Sequence, residues 1–568
     1  MKRIVMLVLV VALALGVSLA AYRPFLPEAA PSLSRYAPSG ALLYLEARDF
    51  SVILNAWNNS LEKREWVTSN NYEVFSRSRL FSRLGEAGNQ FAAAAGLPPN
   101  MNFVSQAAGK QSAVALYDIG NLEFLYITKL ASADAMQSAL WQSRAKFETR
   151  EAAGISFYFR RDAQSEREVA FALKDDFLLL ATREHLMAGA LQLLAGTKNQ
   201  TVEAEPWFAQ ASSATGQAGD LRLVLNLEKL TASPHFRSYW VQRNVADLKQ
   251  YTAAVSDLFL AGKEYREERL LVKKTATQIT DSGPAAVADL ARLVPEDTGV
   301  FELRAAPSEG KVLVLLETKL LAPHIGPGVA SELAPQVALT SGETGNSTDL
   351  ETRIDVAPVV HVTGDSAQPL KALLHGNPAL ATLQLQSAEA DKDGVFVRIH
   401  SAVALLGTSD WNEAAVRSAL VDFVRPALTA GQLGVAWQPG SGFAQLDGLL
   451  PLVLAVNGKY LVVSDDAALV TTVLSRLKQK STAKPASLIA GFSHARERER
   501  FARFTGQLDA ANAGAPILAG GDSSAAPAFL SGNIASFSSV LSAVSSERVV
   551  VRDTGDRVLE SVTYEWSR

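Results

Sequence analysis

Residues Val169–Leu194 read VAFALKDDFLLLATREHLMAGALQLL, and residues Pro451–Leu477 read PLVLAVNGKYLVVSDDAALVTTVLSRL. Each segment is an apolar run, a polar turn, a second apolar run and then an apolar pattern at helical spacing. Lys174-Asp175-Asp176 makes the first turn and Asn457-Gly458 the second. Asn-Gly is a strong hairpin signal because a type I′ turn needs positive φ at both central residues. Phe177 aligns with Tyr460 and Leu186 with Leu469. The runs carry apolar side chains on both faces, so they predict central strands covered from both sides. Hairpins with interspersed helices predict an α+β fold with a mainly antiparallel sheet and packed helices, not a doubly wound α/β fold.

Further matches lie outward from this pair. Leu33, Arg35 and Pro38 match Leu290, Arg292 and Pro295; SADAMQSAL from Ser132 matches NEAAVRSAL from Asn412. Gly154–Phe157 reads against Gly434–Trp437, and EERLLVKKT from Glu267 against SERVVVRDT from Ser546. The matches keep one order, which predicts two diverged tandem repeats. The lobes expected are 22–280 and 281–568, joined by a linker at Thr275–Pro284, with a mobile loop at 513–532. Within the first lobe, Ala41–Ala47 reads as a strand and Asp49 as the cap of a helix. Glu73–Ala95 reads as an amphipathic helix, Ala113–Leu130 as a hairpin, Leu221–Leu227 as a strand and Phe236–Leu260 as mostly helical.

The 568 residues are 48% apolar and 20% charged, ordinary for a packed protein. Basic residues number 54 and acidic 58, so no electrostatic case exists for a nucleic-acid partner. The absence of Cys excludes disulfides, thiolate metal sites, a Cys nucleophile and lipoprotein acylation. Lys2 and Arg3 precede an uncharged run, Ile4–Ala21. Residues 1–21 therefore read as a signal peptide cleaved after Ala20, or as an anchor in the inner membrane if uncleaved. Eighteen helical residues at about 1.5 Å each nearly cross a hydrocarbon core of about 30 Å. Either reading exports the rest of the chain, leaving it periplasmic or held at the membrane.

The stretches RYAPSGALLYLEARDFSVILNAW, NYEVFSRSRLFSRLGEA and AAGLPP between Arg35 and Pro99 resemble exported bacterial proteins of domain of unknown function 3352. ALYDIGNLEFLYITKL, FVRIHSAVAL and SGNIAS are similar to its longer members. The resemblance implies an envelope protein, exported or anchored, and carries no activity, cofactor or site residue.

Candidate chemistry is sparse. The seven His are scattered, with no pair at the helical zinc spacing. Glu389-Ala-Asp391-Lys-Asp393-Gly394 resembles the start of a calcium loop, but His400 stands where the closing Glu belongs and the flanks alternate as strands. It is expected to be a solvated hairpin turn. Ser60–Lys63 and Ser481–Lys484 match Ser-x-x-Lys without its partner motifs. No catalytic residue, metal site or cofactor is expected. Arg77, Arg79 and Arg83, with Lys63, Arg64, Trp57, Trp66 and Tyr72 nearby, form a candidate anion- or partner-binding face; the competing reading is a solvated helix with both Trp in the core. Three functions follow: a non-enzymatic binding or scaffolding protein of the envelope, which the sequence favours; a carrier of an apolar, lipid-like ligand between sheet and helices; or a hydrolase with a dispersed Ser/His/Asp site. A large apolar cavity would separate the second from the first.

Overall fold

The computed structural model describes residues 31–316, 367–497 and 544–566, apart from 69–71, 73–75, 78, 98–106, 131–138, 198–199, 214–215, 240–241, 262–263, 391–396, 429–435, 447–451 and 495. The expected signal or anchor and the 513–532 loop lie outside the described residues. Among the described residues no helix is long and apolar enough to cross a membrane.

The α+β expectation holds: among the described residues 20 strands form one antiparallel sheet, with helices packed on it. The first half supplies β1 (Leu43–Arg48), β2 (Gln111–Asp118), β3 (Glu123–Lys129), β4 (Glu148–Ala152), β5 (Ile155–Arg161), β6 (Glu168–Lys174), β7 (Phe177–Ala181), β8 (Leu221–Asn226), β9 (Tyr251–Ala261) and β10 (Glu264–Lys273). The second supplies β11 (Val300–Ala305), β12 (Ala379–Ala390), β13 (Val397–Gly407), β14 (Trp437–Pro439), β15 (Ala444–Leu446), β16 (Leu452–Asn457), β17 (Tyr460–Ser464), β18 (Leu488–Phe492), β19 (Val544–Asp553) and β20 (Arg557–Trp566). In the first half the pairs give the order β4-β5-β6-β7-β3-β2-β1-β8-β9-β10. In the second they give β14-β15-β16-β17-β13-β12-β11-β18-β19-β20, the same order.

The two runs meet where β10 pairs with β20. Strongly twisted open sheets rarely exceed about ten strands without curling, splitting or flattening, and each half supplies ten. Registers correspond as well. Leu45 sits between Val114 and Leu223, as Glu302, 257 positions on, sits between Gln384 and Ala490. Ser256 pairs with Arg269 as Val549 pairs with Val562, 293 positions on. At the junction Glu268 pairs with Ser561, also 293 positions on, and the Ser561 hydroxyl donates to Glu268 at 3.0 Å. Asp175 and Gly458, 283 positions apart, take φ of 55° and 56° in their hairpin turns.

Helices cover both faces, as the two-sided apolar runs require. The labelled helices are α1 (Phe50–Asn59), α2 (Leu61–Val67), α3 (Arg79–Ala94), α4 (Glu184–Leu194), α5 (Pro206–Ser213), α6 (Ser282–Leu290), α7 (Glu309–Leu316), α8 (Gln368–Gly376), α9 (Glu413–Leu428) and α10 (Ala467–Ser475). On one face, Leu186, Met187 and Leu191 of α4 and Phe208 of α5 pack over Ala170, Ala172 and Leu179. The matching face of the second half packs Val470 and Val473 of α10, with Val287 and Leu290 of α6, over Val453, Ala455 and Val462. On the other face the halves differ. In the second half, α7, α8 and α9 fill the layer with Leu316, Leu370, Leu374, Leu420 and Phe423 over Leu454 and Val463. In the first half, among the described residues, Ala94, Leu140, Phe147, Val169, Phe171 and Leu180 occupy that layer.

Several local expectations are corrected. Tyr251–Leu260 is strand, not helix, because β8 and β10 hydrogen-bond it on both edges and tertiary pairing outweighs local propensity. Asp49 starts α1 from a left-handed conformation with φ 46° and makes no side-chain cap. Ser282–Pro284 form the first turn of α6, so the exposed connector ends at 281. Two sequence matches were one strand out of place: Glu267–Lys273 lies in β10 and Ser546–Asp553 in β19, while Phe157 lies in β5 and Trp437 in β14. Charged or amphipathic strands of similar pattern lie side by side, so composition alone aligns the wrong neighbours. Phe177 and Tyr460 are both half-buried. Phe177 stacks edge-on against Tyr36 at 5.4 Å. The Tyr460 hydroxyl donates to Asp289 and accepts from Arg292; burial, then the Asp289 carboxylate, pushes this phenol up to about 12.

Candidate functional site

The Arg face comes first, since the sequence singled it out. Arg79 and Arg83 lie on α3 and Arg77 just before it, where its side chain is exposed. Nothing in the structure places an anion among them. Their aromatic neighbours are not in the core. Trp57 is 47% exposed, and Val52 on the same helix 64%. Trp66 is half-buried, edge-on to Tyr72 at 6.0 Å. Ser60 is a helix cap: its hydroxyl accepts from the Lys63 N–H at 3.1 Å and donates to the Trp57 carbonyl. Ser481 donates to the Ala288 carbonyl, so neither Ser-x-x-Lys serine is aimed at its lysine. His375 pairs with Glu309 on the surface, and His400 and His494 lie 3.8 Å from Asp465 and Glu547. Residues 391–396 of the calcium-like loop lie outside the described residues; its flanks are paired strands, with Ala390 opposite Val397. No metal-holding group of side chains occurs among the described residues.

The feature that stands out was not singled out by residue in the sequence. Between α1, α3 and the sheet lies a cavity of about 450 Å³. Phe50 comes from α1, Gly88 and Phe91 from α3, Val114 from β2, and Leu122, Phe124 and Tyr126 from β3 and its turn. Val169 and Leu180 form the floor, beside the packed cluster described above. Its size falls within the range of about 300–1,000 Å³ common for small-molecule sites. The Tyr126 hydroxyl is satisfied by donating to the carbonyl of Ala107, another lining residue, at 2.7 Å, and burial raises its pKa above the ordinary range. The wall is therefore nearly all hydrocarbon. Gly88 explains part of the space: a Cβ built there would meet nothing within 4 Å. The sequence signal was a glycine on the apolar side of an amphipathic helix, where a side chain would otherwise fill the gap.

One end of the cavity is polar. Arg167, Glu168 and Thr182 line both it and a neighbouring polar cavity of about 330 Å³, which also takes in Gln90, Asn121, Arg161 and Arg183. Arg183 pairs with Glu123 at 2.7 Å, and Arg161 pairs with Glu166. Glu168 accepts the N–H of Glu184 at 3.1 Å. Arg167 differs: its Nε donates to Gln90 Oε1 at 2.8 Å and an Nη donates to the Asn121 carbonyl.

Comparison with known proteins adds little. No family model matches the chain, and no curated protein matches it. Solved structures that it resembles are crystal forms I and III of TP0453, each 14% identical with a TM-score of 0.24. They cover 44% of this chain and 82% and 84% of that one. At that TM-score the likeness carries no argument.

Proposed function

We propose that this chain is an exported envelope protein that binds one apolar or amphiphilic molecule between sheet and helices of its first half. The hydrocarbon-walled cavity of about 450 Å³ carries this reading. Removing apolar surface from water is worth about 25 cal/mol per Å², so such a wall favours a lipid-like occupant over a polar one. Among the described residues the lining includes no Ser or His, which argues against the hydrolase reading at this place. The identical strand order and matched registers of the halves support descent from a tandem duplication. On that reading the first half carries its cavity on the sheet face that α7, α8 and α9 cover in the second. The export reading rests on Lys2, Arg3 and the uncharged run after them, and the envelope setting on the resemblance of the stretches between Arg35 and Pro99 to domain of unknown function 3352. A scaffolding role is favoured by one observation, the apolar exposure of Val52 and Trp57 on α1.

Titration with the neutral apolar dye N-phenyl-1-naphthylamine tests the binding reading. Saturable fluorescence at one dye per chain is expected, competed by long-chain alcohols. A linear, non-saturating response would sink it. A reporter active only after export, fused at Arg568, should be active; N-terminal mass then decides between cleavage after Ala20 and retention.

A further inference from the structure

From the polar end of the cavity we infer that the occupant is a single-chain amphiphile with an anionic headgroup, and that Arg167 receives it. This rests on the cavity reading above. Arg167 is half-buried at the boundary of the apolar and polar cavities, lining both. Among the described residues it donates to neutral acceptors, the Gln90 amide oxygen and the Asn121 carbonyl, and it forms no ion pair. The other two arginines of the polar cavity each hold a carboxylate.

A half-buried guanidinium with only neutral acceptors keeps unmet affinity for an anion, because charge-assisted bonds are about twice as strong as neutral ones. Its planar fork suits the two oxygens of a carboxylate or phosphate. The position is held from three sides. The β5–β6 turn carries Arg167, with the Asp162 N–H donating to its carbonyl at 2.9 Å, while α3 supplies Gln90 and the β2–β3 turn supplies Asn121. A chain lying along Val114, Phe124 and Leu180 would bring its head to this rim.

The experiment uses dye displacement on the full chain, with a fatty acid, the fatty alcohol of equal length and the corresponding lysophosphatidate. The wild type should bind the better anion at least about tenfold more tightly than the alcohol, about 1.4 kcal/mol. Whichever anion binds more tightly separates carboxylate from phosphate headgroups. Arg167→Gln should bring the ratio to about one, and Arg167→Lys should restore part of it. Equal binding of acid, lysophosphatidate and alcohol by the wild type overturns the headgroup assignment and leaves the cavity intact. If none displaces the dye and no dye saturates, the cavity reading itself has failed. An unchanged ratio in folded Arg167→Gln moves the anion site elsewhere.

Discussion

Gly88 separates stability from binding, because it lies inside a helix and on the cavity wall at once. Replacing it by Ala, Leu and Phe should move the two properties in opposite directions. Glycine in a helix interior costs about 0.8–1.0 kcal/mol relative to Ala, and Leu is close to Ala on that scale. A Cβ at this position meets nothing within 4 Å, so Gly88→Ala should stabilise the first half by about 1 kcal/mol. A Leu reaching into the cavity adds apolar burial, with an upper limit of about 1.5–3 kcal/mol for complete burial of that side chain. The open mouth makes the gain smaller. The same side chain takes space from the occupant, and forcing atoms into a filled site costs about 1–3 kcal/mol. Dye affinity should therefore change less than about twofold in Gly88→Ala, fall about tenfold in Gly88→Leu and fall further in Gly88→Phe. Thermal unfolding and dye titration on the same samples read both effects. If Gly88→Leu is less stable than wild type and binds dye equally well, α3 does not face open space and the cavity argument is wrong.

Asp257 is 1% exposed, accepts two bonds from Arg222 at 2.7 Å each and one from the Gly219 N–H at 2.9 Å. Asp257→Ala should cost about 3–5 kcal/mol in urea unfolding, and pairing it with Arg222→Met should recover much of that; a loss under about 1 kcal/mol would show the pair to be hydrated. Glu267, at the junction, is raised by burial but held below the ordinary carboxyl range on balance by hydrogen bonds from Arg269 and Ser256. A depressed carboxyl stabilises above its unfolded pKa, about 4.3, and loses that contribution as pH falls through the lower folded value. The stability difference between wild type and Glu267→Gln should accordingly shrink in acid, and a constant difference down to pH 2 would contradict the assignment. Proteolysis should cut first in the exposed connector 275–281, yet leave the halves together through the β10–β20 ladder and the Lys273–Asp553 pair at 2.6 Å; halves that separate on a sizing column would refute a shared sheet.

Much of the architecture was legible locally. The Phe177 and Tyr460 hairpins, their turns at Asp175 and Gly458 and the helices after them depend on contacts a few residues apart, and a period of two or 3.6 records which face must be buried. Leu33, Arg35 and Pro38 lie 257 positions before Leu290, Arg292 and Pro295, and β1 begins 257 positions before β11. What lay beyond the sequence depends on neighbours distant in the chain. Tyr251–Leu260 became a strand because β8 and β10 flank it. The joining of β10 to β20 follows from two edge strands with unpaired backbone groups, which no local pattern announces. The cavity is a space left by α1 and α3 over β3, β6 and β7, and Arg167 meets Gln90 across 77 residues. Composition excludes thiol chemistry and offers no electrostatic case for a nucleic-acid partner; only packing decided where a hydrocarbon chain can enter, because a void is a property of the surrounding shape and not of any one residue.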